Sequence, residues 1–207
     1  MKVEDLRQRL LITILFVAIY RFGSFVVLPG INPAQLDTLQ KQTSGGLMSL
    51  LDMFSGGAFS NASIFALGIM PYISASIVMQ ILAVAVPYFQ KMQREGESGH
   101  KKINWYTRVL TVVILLFQAP SYLINLKMQA EGALASGISW SVFMIPATII
   151  LAAGSMFVLW LGERITDKGV GNGISLIIMV GIIARLPQAF IQEAGSRLEA
   201  IAGGGLV

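Results

Sequence analysis

The chain has no cysteine, so a disulfide framework, a thiolate metal site and a cysteine nucleophile are all excluded, and the redox compartment leaves no trace. It has a single histidine, His100, with no second imidazole or thiolate to share a metal; among charged neighbours it reads as a solvated loop histidine. Charge is scarce: only 13% of the 207 residues are Asp, Glu, Lys or Arg, where a soluble domain carries about a quarter. The apolar runs hold no carboxylate pair, serine–lysine dyad or other acid–base set, which weighs against a membrane enzyme. No catalytic residue, metal ligand or cofactor is therefore expected.

Apolar residues make up 55% of the chain and mean hydropathy is +0.70, so water is not its main solvent. Five apolar stretches stand out: Leu10 to Leu28, Ile64 to Pro87, Tyr106 to Leu126, Ser141 to Leu161 and Ile174 to Ile191. Each is near the ~20 residues that cross a hydrocarbon core as a helix, and backbone satisfaction in lipid requires helices. The expected fold class is all-α, a polytopic membrane bundle of five transmembrane helices. The net charge of +4 would suit a nucleic-acid binder, but its placement explains it otherwise. With a cytoplasmic amino terminus, the inner segments hold Lys2, Arg7, Arg9, Lys91, Arg94, Lys101, Lys102, Arg108, Arg164 and Lys168. The outer ones hold Lys41, Lys127 and Arg197, while Arg21 and Arg185 fall within spans. That is a positive-inside pattern, and no direct nucleic-acid partner is expected.

The first stretch does not read as a cleavable signal: Glu4 and Asp5 precede it, and no small-x-small site follows Leu28. Before it, Val3, Leu6 and Leu10 fit either a short amphipathic turn on the inner surface or a polar leader. Between the first two spans, Leu47 to Phe54 is apolar at helical spacing but too short to cross, and Ser55-Gly56-Gly57 interrupts it. Such a helix either enters the membrane, where irregular backbone must line a cavity or be buried in protein, or lies in a loop outside. Gly68 and Pro71 sit inside the second apolar run and would kink or unwind it. Ile69 and Ile73 share a helix face, as do Ile174 and Ile178. Each pair fits either an apolar constriction that blocks ions by dewetting or an ordinary lipid-facing stripe. Arg21 and Arg185, near outer ends, are expected to snorkel to the surface. Gly169 to Gly173 lacks the lysine of a phosphate loop and reads as a helix-start turn. Asn61-Ala-Ser63 fits a short sequon and receives no weight. Glu95 to Lys102 reads as a flexible, solvated inner loop.

The run Met53 to Ile77, MFSGGAFSNASIFALGIMPYISASI, closely resembles the plug and second span of the bacterial SecY family of protein-conducting channels. Arg21 to Ser24 with Pro29 to Ile31, Glu95 to Ile103, Tyr106 to Arg108, Trp160 to Glu163 and Gly169 to Ser175 resemble the same family in order. Nearly the whole chain is covered. The resemblance implies half of a ten-helix clamshell, five spans plus a short plug helix, ending near Val207 where the family turns to its sixth helix. The chain is then a fragment, expected to be inactive alone.

By the same resemblance Leu47, Leu50, Leu51, Met53, Phe54, Ser55, Gly56, Gly57 and Asn61 belong to the plug and its hinge. Ile69, Ile73, Ile174 and Ile178 fall on pore-ring positions. Ser74, Ile77 and Gln80 in the second span and Asn172 before the fifth fall near the lateral gate, although Gln80 and Asn172 equally suit ordinary interhelical or loop hydrogen bonds. The chain departs from the family pattern at Arg185, where a small residue often stands, and no channel role is expected of it. The implied partners are the SecE and SecG subunits, the SecA motor or the ribosome, signal peptides, nascent secretory chains and membrane lipid, at a bacterial inner membrane. The alternative from another class is half of a small-solute secondary transporter, since discontinuous helices also mark those folds.

Overall fold

The computed structural model describes residues 3–32, 52–129, 134 and 139–202. Six helices account for most of them: α1 (Val3–Gly23), α2 (Met70–Ala85), α3 (Pro87–Arg94), α4 (Glu97–Gln129), α5 (Trp140–Lys168) and α6 (Gly173–Ala202). Among the described residues extended pairing is limited to two isolated bridges, Val27 with Ser63 and Ile31 with Leu134. The all-α expectation holds.

The boundaries moved where turn chemistry overrides hydropathy. α1 runs unbroken from Val3, so the leader is its first turns and not a separate amphipathic element. It stops at Gly23, short of the expected Leu28, and residues 24–31 turn back, with Leu28 N–H donating to Ala62 O at 2.9 Å and Ile64 N–H to Val26 O at 2.9 Å. The second apolar run is helical only from Met70, since 64–69 is a series of turns. Gly68 adopts φ +52° there, and Pro71 sits in the first turn of α2, where a missing N–H removes no helix bond. Pro87 ends the helix. The residue before a proline is pushed to extended backbone, Val86 takes φ −107° and ψ 120°, and α3 leaves at 98° to α2.

The expected flexible inner loop is instead mostly helix. Only Glu95 and Gly96 form a turn, with Gly96 at φ +73°, and α4 begins at Glu97, so His100 lies on an exposed helix turn. Of the expected plug helix, Leu47, Leu50 and Leu51 lie outside the described residues. The remainder is helical only at 52–54 and then turns through residue 62.

α2 packs on α4, α4 on α5, α5 on α6, and α1 on α5 and α6. This sets the α5–α6 connection against the middle of α1, where Val170 N–H donates to Thr13 Oγ1 at 3.1 Å. Arg108 of α4 pairs with Glu163 of α5 at 2.7 Å nearby. Large apolar side chains such as Leu11, Phe22, Ile81, Phe117, Ile145 and Ile183 face outward, which suits lipid and not water. By length and apolar composition α4 and α5 each suffice to cross a membrane, the bent α2–α3 pair adds a third span if counted as one, and Gly173–Pro187 is apolar but shorter.

Candidate functional site

Residues 52–62 are seated by polar contacts from three helices. Asp52 Oδ1 accepts the Ser60 N–H at 2.8 Å, Ser55 Oγ donates to Asp52 O at 3.0 Å and accepts the Phe59 N–H at 3.1 Å, and Asn61 N–H donates to Gly57 O at 3.1 Å. α1 sends Tyr20, whose hydroxyl donates to Ser55 O at 3.3 Å, and Arg21, whose Nη1 donates to Gly56 O at 3.0 Å. α4 sends the Tyr122 hydroxyl to Phe59 O at 2.8 Å. α6 sends Arg185, which forms an ion pair with Asp52 and donates from Nη2 to Ser60 Oγ at 2.9 Å.

Gly56 and Gly57 fit this seat for two reasons. Both have positive φ, +65° and +92°, a region that side-chain-bearing residues rarely occupy. Both are also closely approached: a Cβ on Gly56 would lie 3.0 Å from Gly181 Cα, and one on Gly57 would lie 2.9 Å from Arg185 Nη2.

Beneath the seat lies an apolar cluster. Tyr20, Ala58, Phe65, Ile69, Val158, Leu161, Ile165 and Ile177 are buried together, with Ile73, Ile174 and Ile178 packed against them. The two isoleucine pairs picked out by spacing therefore meet, and Ala58 of the seated segment, with no exposed surface, joins them. Small residues allow the approach. A Cβ on Gly173 would meet Gly162 O at 2.0 Å, so α5 and the start of α6 touch backbone to backbone. Ile177, 1% exposed, is a deeper member of the cluster than the two α6 isoleucines that spacing selected.

Of the expected gate residues, Ser74, Ile77 and Gln80 lie on α2 and Asn172 just before α6. Ser74 lines a cavity of about 270 Å³ shared with Phe59, Met70, Gln118, Tyr122 and Asn125. Ile77 is exposed, and Gln80, also exposed, donates to Ser76 Oγ at 3.4 Å. Asn172 does not line that cavity. Its Oδ1 accepts the N–H groups of Ile174 at 3.0 Å and Ser175 at 3.2 Å, an N-cap for α6, which makes Gly169 to Gly173 the helix-start turn expected of it. Met53 and Phe54 are exposed, while Ser55 is buried.

Two expectations are corrected. Arg185 and Arg21 do not simply snorkel to a surface: each turns its guanidinium onto residues 52–60, where carbonyls, a hydroxyl and a carboxylate need donors. Arg21 also lies over the Phe25 ring at 5.2 Å. Asp52, Ser60, Tyr20 and Tyr122 were not picked out by sequence reasoning. A usable signal was present, because Asp52 interrupts one apolar run and Arg185 another, and a charge in such a run needs a partner. Among the described residues no group of three His, Cys, Asp or Glu side chains is placed to hold a metal ion.

Residues 63–205 match the SecY family. The protein translocase subunit SecY of Pseudomonas aeruginosa is 46% identical over 194 residues, covering 92% of this chain and 42% of that protein. That of Escherichia coli (strain K12) is 47% identical over 186 residues, covering 89% and 42%. The chain thus spans about 42% of the length of these curated relatives, in their amino-terminal half. Among solved structures, one concerned with the SecY plug domain and the closed state of the translocation channel aligns with a TM-score of 0.59 at 17% identity, over 87% of this chain and 36% of that one. Another, of a protein-conducting channel, gives 0.53 at 20% identity, over 85% and 36%.

Proposed function

Because the chain belongs to the SecY family and is a multi-pass membrane protein, we propose that it supplies one half of a protein-conducting channel: one wall, the plug and part of the constriction. The observation that carries this reading is the meeting of Ala58, from the seated segment, with Ile69, Ile73, Ile174 and Ile178 in one apolar cluster. An apolar ring closed from one side by a folded-in segment excludes water and ions by dewetting. It also accepts varied chains, since it offers them no fixed hydrogen bonds. In this reading residues 47–61 are the plug and Gly56-Gly57 its hinge. Ser74, Ile77, Gln80 and Asn172 border a lateral gate through which apolar helices leave for lipid.

The five spans lie in the regions of α1, α2, α4, α5 and α6, their bounds shifted from the hydropathic ones by the turns at 24–31 and 64–69. The amino terminus is cytoplasmic and the membrane is the bacterial inner membrane. Basic residues support that orientation, since Thr13, one turn beyond Arg9 in α1, contacts the α5–α6 connection that follows Arg164 and Lys168. The channel is not an enzyme and draws its energy from partners, SecA or the ribosome, alongside SecE and SecG. The substrates are unfolded secretory chains carrying signal peptides. The relatives carry a translocase name, which favours this reading over half of a small-solute transporter.

The test uses the absence of cysteine. A single cysteine at Ile73 in the full-length protein is the only thiol in this half, and a thiol-reactive cross-linker there should capture a stalled secretory chain. The same chain without its signal peptide should give no adduct. Equal capture of both, or of neither, would sink the channel reading.

A further inference from the structure

We infer that Arg185 is a positioning residue for the plug, and that its ion pair with Asp52 is a latch that must open before the segment leaves its seat. The inference rests on the channel reading above and adds to it what sets the closed position. Arg185 is the one charged residue in the apolar stretch Gly173–Pro187. A guanidinium so placed needs acceptors, and it finds them at both ends of a single turn segment: the carboxylate of Asp52 and the hydroxyl of Ser60. Asp52 closes the loop by accepting the Ser60 N–H, and the Ser60 hydroxyl donates a hydrogen bond to Gly57 O at 3.2 Å. One side chain on α6 therefore holds both ends of residues 52–60 at once. Glycine at position 57 suits this, since its φ is +92° and a Cβ there, 2.9 Å from Nη2, would push the guanidinium off its acceptors.

The exposures say why this is a latch and not a permanent strut. The Asp52 side chain is 5% exposed and that of Arg185 35%, so the carboxylate is nearly dry while the arginine side chain keeps contact with its surroundings. Removing one partner in place would strand the other, the costly case. Moving the segment outward as a body carries Asp52 toward water and leaves Arg185 free to follow its existing exposure, so both charges recover solvation. Apolar contacts to Ala58 weaken gradually with displacement, whereas an ion pair with two shared hydrogen bonds opens in one step. The pair thus gives the seat a threshold.

The measurement is resting ion conductance of the full-length protein containing this chain, with its partner subunits, in planar bilayers. Asp52→Asn keeps an acceptor for the Ser60 N–H and removes the charge, and Arg185→Gln keeps a stem and a donor. Both are close in shape to the original and should fold. Each is expected to raise resting conductance about tenfold, equivalent to ~1.4 kcal/mol. The double variant should leak no more than the leakier single, because the two act as one unit, and Arg185→Lys should recover part of the seal. Singles at the wild-type level, or a double in which the two effects multiply, would overturn the latch. Ile69→Gly with Ile73→Gly serves as the control, since it widens the constriction whatever holds the plug. Leak in the control with silence in both latch variants discards the latch and leaves the channel reading standing. Silence in the control as well removes the channel reading and the latch with it.

Discussion

The isoleucine cluster and the seat of residues 52–62 share Tyr20 and the segment carrying Ala58, yet they are held in different ways. The cluster is dispersion and exclusion of water without direction, so each member contributes in proportion to the volume it fills. The seat adds directed contacts to its packing: Arg185, Arg21 and Tyr122 each reach a named atom of residues 52–60, while Ala58 and Phe59 pack into the apolar clusters. In the proposed channel, a surface that yields around varied cargo tolerates the first kind of bonding, and a segment with one closed and one released position is better served by the second. Substitutions should therefore behave differently on the two sides, by volume in the cluster and by hydrogen-bond count in the seat.

The largest effect is expected in the cluster. Ile69 is 6% exposed, and Ile69→Ala should destabilise the folded protein by about 2–5 kcal/mol, with Ile69→Val near 0.5–1.5. Thermal unfolding of the full-length protein in detergent checks both, and equal losses for Ala and Val would show that the site is not close-packed. Gly56→Ala comes next. Its φ of +65° and the approach of Gly181 Cα to 3.0 Å add a left-handed penalty of ~1–2 kcal/mol to a backbone contact that cannot give way by rotating a side chain. A resting conductance above wild type would register the weakened seat. An unchanged melting temperature together with unchanged conductance would show that the turn relaxes freely.

The same contrast explains what could be read from the chain. Undirected packing leaves a periodic trace, so the apolar runs located α4, α5 and α6, and four-residue spacing singled out the pairs Ile69/Ile73 and Ile174/Ile178, which the family resemblance and not the spacing joined into one set. Directed contacts leave almost none. Ser60 and Arg185 stand 125 positions apart, and no local pattern says that they meet. What is local in the seat is its glycine pair, which marked a break but not what the break packs against. Boundaries failed where single residues decide them. Ile64 to Ile69 is as apolar as the helix that follows, yet Gly68 at φ +52° and Pro71 in the first helical turn defer the helix to Met70. Between α3 and α4 a hydrophilic, glycine-bearing stretch resembled a loop, while a left-handed Gly96 was enough to turn the chain straight into α4.

The smallest effect should isolate one directed contact while leaving undirected ones intact. Tyr122 lies edge-on to Phe59 with ring centroids 4.8 Å apart, and its hydroxyl donates to Phe59 O at 2.8 Å. Tyr122→Phe keeps the ring contact and removes the donor, leaving a half-buried carbonyl without that partner. A net loss of ~1 kcal/mol follows from the usual worth of such a bond. If the seat depends on hydrogen-bond count, Tyr122→Phe should raise resting conductance by roughly fivefold, in line with ~1 kcal/mol, although the side chain's volume scarcely changes. A conductance equal to wild type, alongside a leak on Tyr122→Leu that tracks lost ring contact, would mean that the seat is governed by volume as the cluster is. The distinction between the two regions would then collapse.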